Sequence, residues 1–162
     1  MSKKMKKALA ALREVSPKLN DATNAANEVV EQVEKFLNDE CSIGLPCWIL
    51  ADKIESDEGP TIRHLWLGYD RVEGKFRIAV EQLVEHAGRQ ENLGPQPWSS
   101  YPRDIKLTTL PKLPKLLEAI ADEANRMASK NDETVAAVHE ILGAMRGEAE
   151  EAEETKASAT PA

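Results

Sequence analysis

LGYDRVEGKFRIAV, Leu67 to Val80, decides the fold. Apolar and polar residues alternate through its second half, the period of a strand with one face buried. A two-residue turn at Glu73-Gly74, or a four-residue loop around it, sets Tyr69 opposite Ile78 and Leu67 opposite Val80, so that the apolar side chains share a face. A three-residue loop would mix the faces. In the favoured register the reverse face carries His64, Trp66, Gly68 and Asp70 beside Arg77, Ala79 and Glu81, with Asp70 directly opposite Arg77.

Upstream, CWILADKIE and TIRHLWLGY are rich in Ile, Leu, Trp and Tyr and are separated by the turn cluster SDEGP. Together with KFRIAVEQLV they predict a meander of three antiparallel strands within residues 47–85. Residues 87–105 hold Gly88, Gly94, Pro95, Pro97 and Pro102, and predict a long connector with room for a short edge strand near Trp98.

The period changes to that of helices at both ends. Met5, Ala8, Leu9, Leu12 and Val15 predict a short helix closed at Ser16-Pro17, with Ser16 capping a second helix and Pro17 as its first residue. That second helix carries Leu19, Ala22, Ala26, Val29, Val30, Val33, Phe36 and Leu37 on one side and ends near residue 40. Leu110, Leu113, Leu116, Leu117, Ile120, Ala124 and Met127 mark another, with Pro111 and Pro114 in its first turns. Val135, Val138, Leu142 and Met145 continue its stripe past a cap or kink at Asn131-Asp132.

The fold class is therefore α+β: an antiparallel meander of three or four strands with long amphipathic helices packed on one face. A single domain is expected over residues 1–147, comprising helices over 3–40, sheet over 47–85, connector over 87–105 and helices over 110–146. Residues 148–162 carry five glutamates, one lysine and no apolar side chain larger than Ala or Pro, which predicts a disordered acidic tail. The net charge of −7 falls largely there, leaving 20 basic and 23 acidic side chains in residues 1–147. So mild a balance offers little for capturing a polyanion, which makes nucleic acid an unlikely partner.

No apolar run approaches the roughly 20 residues of a membrane helix. The lysines at positions 3, 4, 6 and 7 are followed by Arg13 and Glu14 without a cleavage site, so no signal peptide is read and a cytoplasmic location is expected. Those lysines read as a solvated helix end. Cys41 and Cys47 lie six positions apart with no Cys or His nearby to complete a zinc set, and are expected as free thiols. No metal site is expected, because His64, His86 and His139 are too far apart in sequence to read as ligands, and no nucleotide cofactor, because the chain has neither G-x-x-x-x-G-K-[ST] nor G-x-G-x-x-G. His64 beside Asp70 and Asp52 could be drawn as a base with its orienting carboxylate, but no nucleophile has a motif context, so no catalytic residue is assigned.

Two groups remain as binding candidates. Trp66, Asp70 and Arg77 share the reverse sheet face, where Gly68 and Ala79 leave a shallow space. Trp98, Tyr101 and Arg103 lie in PWSSYPRD, residues 97–104, as an aromatic platform with an anion clamp or as a plug for the core. The long helix, the LGYDRVEGKFRIAV meander and the PRD segment leading into LPKLPKLLEAIADEA resemble small bacterial proteins, a resemblance that implies no activity. The reading that follows is a non-enzymatic accessory protein of bacterial or phage type, acting through another protein or through itself, since its helical stripes exceed what a small sheet can cover. The second reading is a small-molecule binding domain, with or without catalysis, whose pocket lies between the reverse face and the aromatic connector.

Overall fold

The computed structural model describes residues 2–56 and 59–158, with side chains through Met145 apart from those of residues 57 and 58. It is an α+β protein, 59% helix and 27% strand. Two compact units divide it, residues 1–122 and 123–162. The first contains helix α1 (Lys3–Lys35), strands β1 (Cys47–Glu55), β2 (Thr61–Val72), β3 (Lys75–His86), β4 (Arg89–Asn92) and β5 (Gln96–Pro97), and helix α2 (Arg103–Thr109). It also holds the first turns of α3 (Leu113–Ser158).

The β2–β3 pairing is the one expected from LGYDRVEGKFRIAV: Tyr69 faces Ile78, Leu67 faces Val80 and Asp70 faces Arg77. Glu73 and Gly74 both have positive φ, 53° and 81°, which is the two-residue turn whose twist suits flanking strands. The same device recurs at Ala87-Gly88, φ 48° and 78°, and returns the chain from His86 to Arg89 as a second tight hairpin. The glycines and prolines of residues 87–105 predict a connector there, whereas Arg89–Asn92, with no apolar residue to mark a strand, pairs with β3. The match of VEGK to HAGR was the available signal. A left-handed alanine costs about 1–2 kcal/mol, so Ala87→Asn is expected to raise stability by up to about 1 kcal/mol, measurable as a higher denaturation midpoint with unchanged slope.

The sheet order is β1-β2-β3-β4, with β5 also beside β3. One face is covered by helices. Ile49, Leu65, Leu67, Tyr69, Ile78 and Val80 of the sheet form one cluster with Ala26, Val30 and Leu37 of the N-terminal helical segment. Trp98, Tyr101 and Ile105, and Leu113, Leu116 and Ile120 of α3, complete it. The outer edge of β3 is closed along its length by different partners: β4 pairs with residues 83–86 and β5 with Ala79 and Val80. Nearer the turn, the Asn38 side chain donates to the Phe76 carbonyl (2.9 Å) and the Ile78 N–H donates to the Glu34 carboxylate (2.7 Å). Helix side chains thus satisfy backbone groups that a further strand would otherwise take.

Several element boundaries differ from the expected ones. Pro17 lies inside α1, which runs unbroken from Lys3 to Lys35 and ends in a widened turn, Phe36–Glu40, closed by the Cys41 N–H on the Phe36 carbonyl (3.0 Å). The proline forfeits one hydrogen bond on an exposed stretch where water can satisfy the freed carbonyl. The connector stops at Pro102, and α2 occupies residues expected to lie outside any helix. Asn131-Asp132 does not end α3, which runs through both residues as helix.

In the second unit α3 continues as a single helix through Gly147 and residues expected to be disordered, as far as Ser158; residues 159–162 lie outside the described ones. Ala and Glu are strong helix formers, and that propensity, which composition reasoning about burial ignores, favours continuation. Within this unit Arg126 grips Glu123 through two contacts, Nε to Oε2 at 2.8 Å and Nη2 to Oε1 at 2.5 Å. That pair holds the Glu123 carboxyl below its usual range, chiefly through the hydrogen bond.

Candidate interaction surfaces

The two aromatics of PWSSYPRD become core. Trp98 is 1% exposed, and its Nε1–H donates to Thr109 Oγ1 (2.9 Å), whose own hydroxyl donates to the Ile105 carbonyl (2.8 Å). Lys106 lays its ammonium 5.1 Å from the centre of the Trp98 ring and donates to Asn27 Oδ1 (3.1 Å), so the cation is used within the fold. Tyr101 is buried, with its hydroxyl donating to the Val80 carbonyl (3.0 Å). Arg103 Nη2 donates to Asn20 Oδ1 (2.6 Å) and ties α2 to α1. The aromatic pair is a plug held by hydrogen bonds at both polar tips.

On the reverse sheet face the backbone brings Asp70 and Arg77 opposite each other, and their side chains part. Asp70 Oδ2 accepts from Trp48 Nε1 (3.0 Å) and its Oδ1 from the Arg71 N–H (2.6 Å), while Arg77 Nη1 contacts Glu73 Oε2 at 2.8 Å across the turn. The shallow space expected over Gly68 is filled by Trp48. A Cβ on Gly68 would sit 2.2 Å from Trp48 Cδ2, so the indole lies directly on the glycine. Trp66, partly exposed, pairs with the exposed Leu50 of β1. The face is therefore an apolar surface of Trp48, Leu50 and Trp66, without the Asp70–Arg77 ion pair and separate from the buried Trp98 and Tyr101.

A polar groove of about 550 Å³ runs between α1 and β3, lined by Glu31, Glu34, Lys35, Asn38, Lys75 and Arg77 among others. Burial pushes the Glu34 carboxyl up from its ordinary range, against the lowering effects of the Ile78 N–H and Arg77, and Glu31 adds to the rise. Tyr69 is raised as well, again mainly by burial; its hydroxyl donates to Asn38 Oδ1 (2.7 Å). A raised carboxyl pKa means that the folded state holds its proton more tightly than the unfolded chain. Stability from this group is thus fully present below the ordinary value of 4.5 and falls as pH rises through the folded value. Glu34→Gln keeps an oxygen for the Ile78 N–H. It is expected to raise the melting temperature at pH 7 and to lose that advantage below pH 4.5. A variant less stable than the parent at pH 7 would show that the carboxylate charge is needed there.

The largest exposed apolar features are helical. Met5, Leu9, Leu12, Val15 and Leu19 of α1 are all exposed, Leu12 to 65% and Val15 to 45%. The sequence spacing puts them in two stripes, on a short helix closed at Ser16-Pro17 and on a second helix, whereas they share one continuous helix whose stripe meets the sheet only at Ala26, Val30 and Leu37. In the second unit Val135, Val138, Ile141, Leu142 and Met145 are exposed in the same manner. Among the described residues no group of three or more His, Cys, Asp or Glu side chains could hold a metal ion, and no helix is long and apolar enough to cross a membrane. Comparison with protein-family models, curated proteins and solved structures found no match.

Proposed function

We propose that this protein is an accessory protein that works by protein–protein association through its helices, with no chemistry of its own. One observation carries the reading: five large apolar side chains at three- and four-residue spacing on α1 face outward over about four helical turns. Single exposed leucines are ordinary on a surface, whereas a continuous stripe costs solubility unless something covers it. The apolar face of Trp48, Leu50 and Trp66 offers further contact area.

The test compares the native chain with variants carrying Leu12→Asp or Val138→Asp, by light scattering across concentrations and by affinity capture from cells of the source organism. At least one association, with itself or with a captured protein, is expected to weaken sharply in one variant while circular dichroism stays native. Associations that survive both substitutions unchanged would refute helix-mediated binding.

A further inference from the structure

We propose that the groove between α1 and β3 is a binding site for a free α-amino acid with an aliphatic side chain, taken as its zwitterion. The site goes beyond the association reading and is independent of it, since none of the outward-facing apolar side chains from Met5 to Leu19 lines the groove.

Two cavities meet there. The groove of about 550 Å³ and a smaller, more enclosed recess of about 150 Å³ share Glu31, Glu34 and Arg77, and Val30 and Trp98 give the recess its apolar wall. Charged groups therefore stand at the junction, with space behind them that ends on apolar side chains. A recess of that size takes a group as large as benzene, which is room for one aliphatic side chain.

Charge selects the form of the ligand. Three carboxylates, Glu31, Glu34 and Asp39, and three cations, Lys35, Lys75 and Arg77, line the groove. A ligand of one sign meets as much repulsion as attraction there, whereas a zwitterion can set each end against its opposite. The carboxylates all belong to the helical segment, while Lys75 and Arg77 belong to β3. Among the described residues no ion pair joins the two walls. Each wall is instead engaged elsewhere: Glu34 Oε1 accepts from the Ile78 N–H (2.7 Å), and Arg77 Nη1 is held by Glu73 Oε2 (2.8 Å). Glu34 Oε2 and Arg77 Nε and Nη2 are left for a ligand, and a guanidinium fork suits a carboxylate. The Glu34 carboxyl, pushed up by burial and by neighbouring Glu31, gains from a cation brought between the two. The ligand's ammonium is thus assigned to Glu31 and Glu34, its carboxylate to Arg77 and its side chain to the recess at Val30 and Trp98.

The experiment is calorimetric titration of the full chain with four probes: L-leucine, isoamylamine, isocaproate and glycine. Isoamylamine is leucine without its carboxylate, isocaproate is leucine without its ammonium, and glycine keeps both charges without the side chain. Leucine is expected to bind saturably, and each of the others at least about tenfold more weakly, because each leaves a charged donor or acceptor, or the recess, unfilled. Glu31→Gln combined with Glu34→Gln is expected to narrow the advantage of leucine over isocaproate, and Arg77→Gln its advantage over isoamylamine. A substitution that merely disturbed the fold would lower all four probes alike. No saturable binding of leucine, an analogue or glycine bound as tightly as leucine, or advantages that the variants leave unchanged would each overturn the proposal. Leu12→Asp is expected to leave leucine binding as it is, so failure of this site and failure of helix-mediated association are read separately.

Discussion

Trp98→Ala is expected to lose about 3–5 kcal/mol of stability, the range for removing a large aromatic from a core. Against a total of roughly 5–15 kcal/mol this leaves a marginal protein. The indole is 1% exposed and shares one cluster with β2, β3 and α3. Its removal opens a cavity, takes the donor from Thr109 Oγ1 and leaves the Lys106 ammonium without the ring it lies over. Trp98→Phe keeps most of the apolar volume and loses the N–H, so its cost is expected to be smaller, about 1–3 kcal/mol. Denaturant titration followed by circular dichroism separates the two. A loss below 1 kcal/mol for the alanine variant would mean that the connector does not close the core, contrary to its burial.

The second large effect lies on the opposite face. Gly68→Ala places a methyl where the Trp48 indole lies, at a separation real atoms do not adopt. Either the ring leaves Gly68, losing its hydrogen bond to Asp70, or β1 and β2 shift. Overpacking of this kind costs about 1–3 kcal/mol. With Trp48 already reduced to alanine the clash is gone, and the same Gly68→Ala change is expected to be neutral or slightly stabilising, since alanine suits an extended strand better than glycine. The double-mutant cycle is therefore expected to show a coupling of about 1–3 kcal/mol. Additive behaviour would place the Trp48 ring elsewhere.

Much of the architecture was determined by local pattern. The alternation on either side of Glu73-Gly74 set register, since a slip of one residue would turn Tyr69, Leu67, Ile78 and Val80 to water. The helical stripes at both ends were legible for the same reason, because burying one face needs a periodic sequence. What pattern could not settle was which partner each side chain would choose. Asp70 and Arg77 stand opposite in the backbone, but Asp70 accepts from Trp48, 22 positions away, and Arg77 turns back to Glu73. The hollow expected above Gly68 was filled by an indole from β1, a strand whose lateral register the sequence left open.

Trp98, Tyr101 and Arg103 were recognisable as a group able either to bind or to plug. Only the tertiary structure decided, by burying both rings and giving each polar tip an internal acceptor. The α1 stripe shows the converse. Its apolar period was plain on either side of Pro17, though as two helices where the structure has one, yet the same period is written by a core and by a surface awaiting a partner. Where one ends and the other begins depends on how far the sheet reaches, and here it reaches back only to Ala26. Period is a property of the chain alone, whereas coverage depends on the size and position of the layer packed against it.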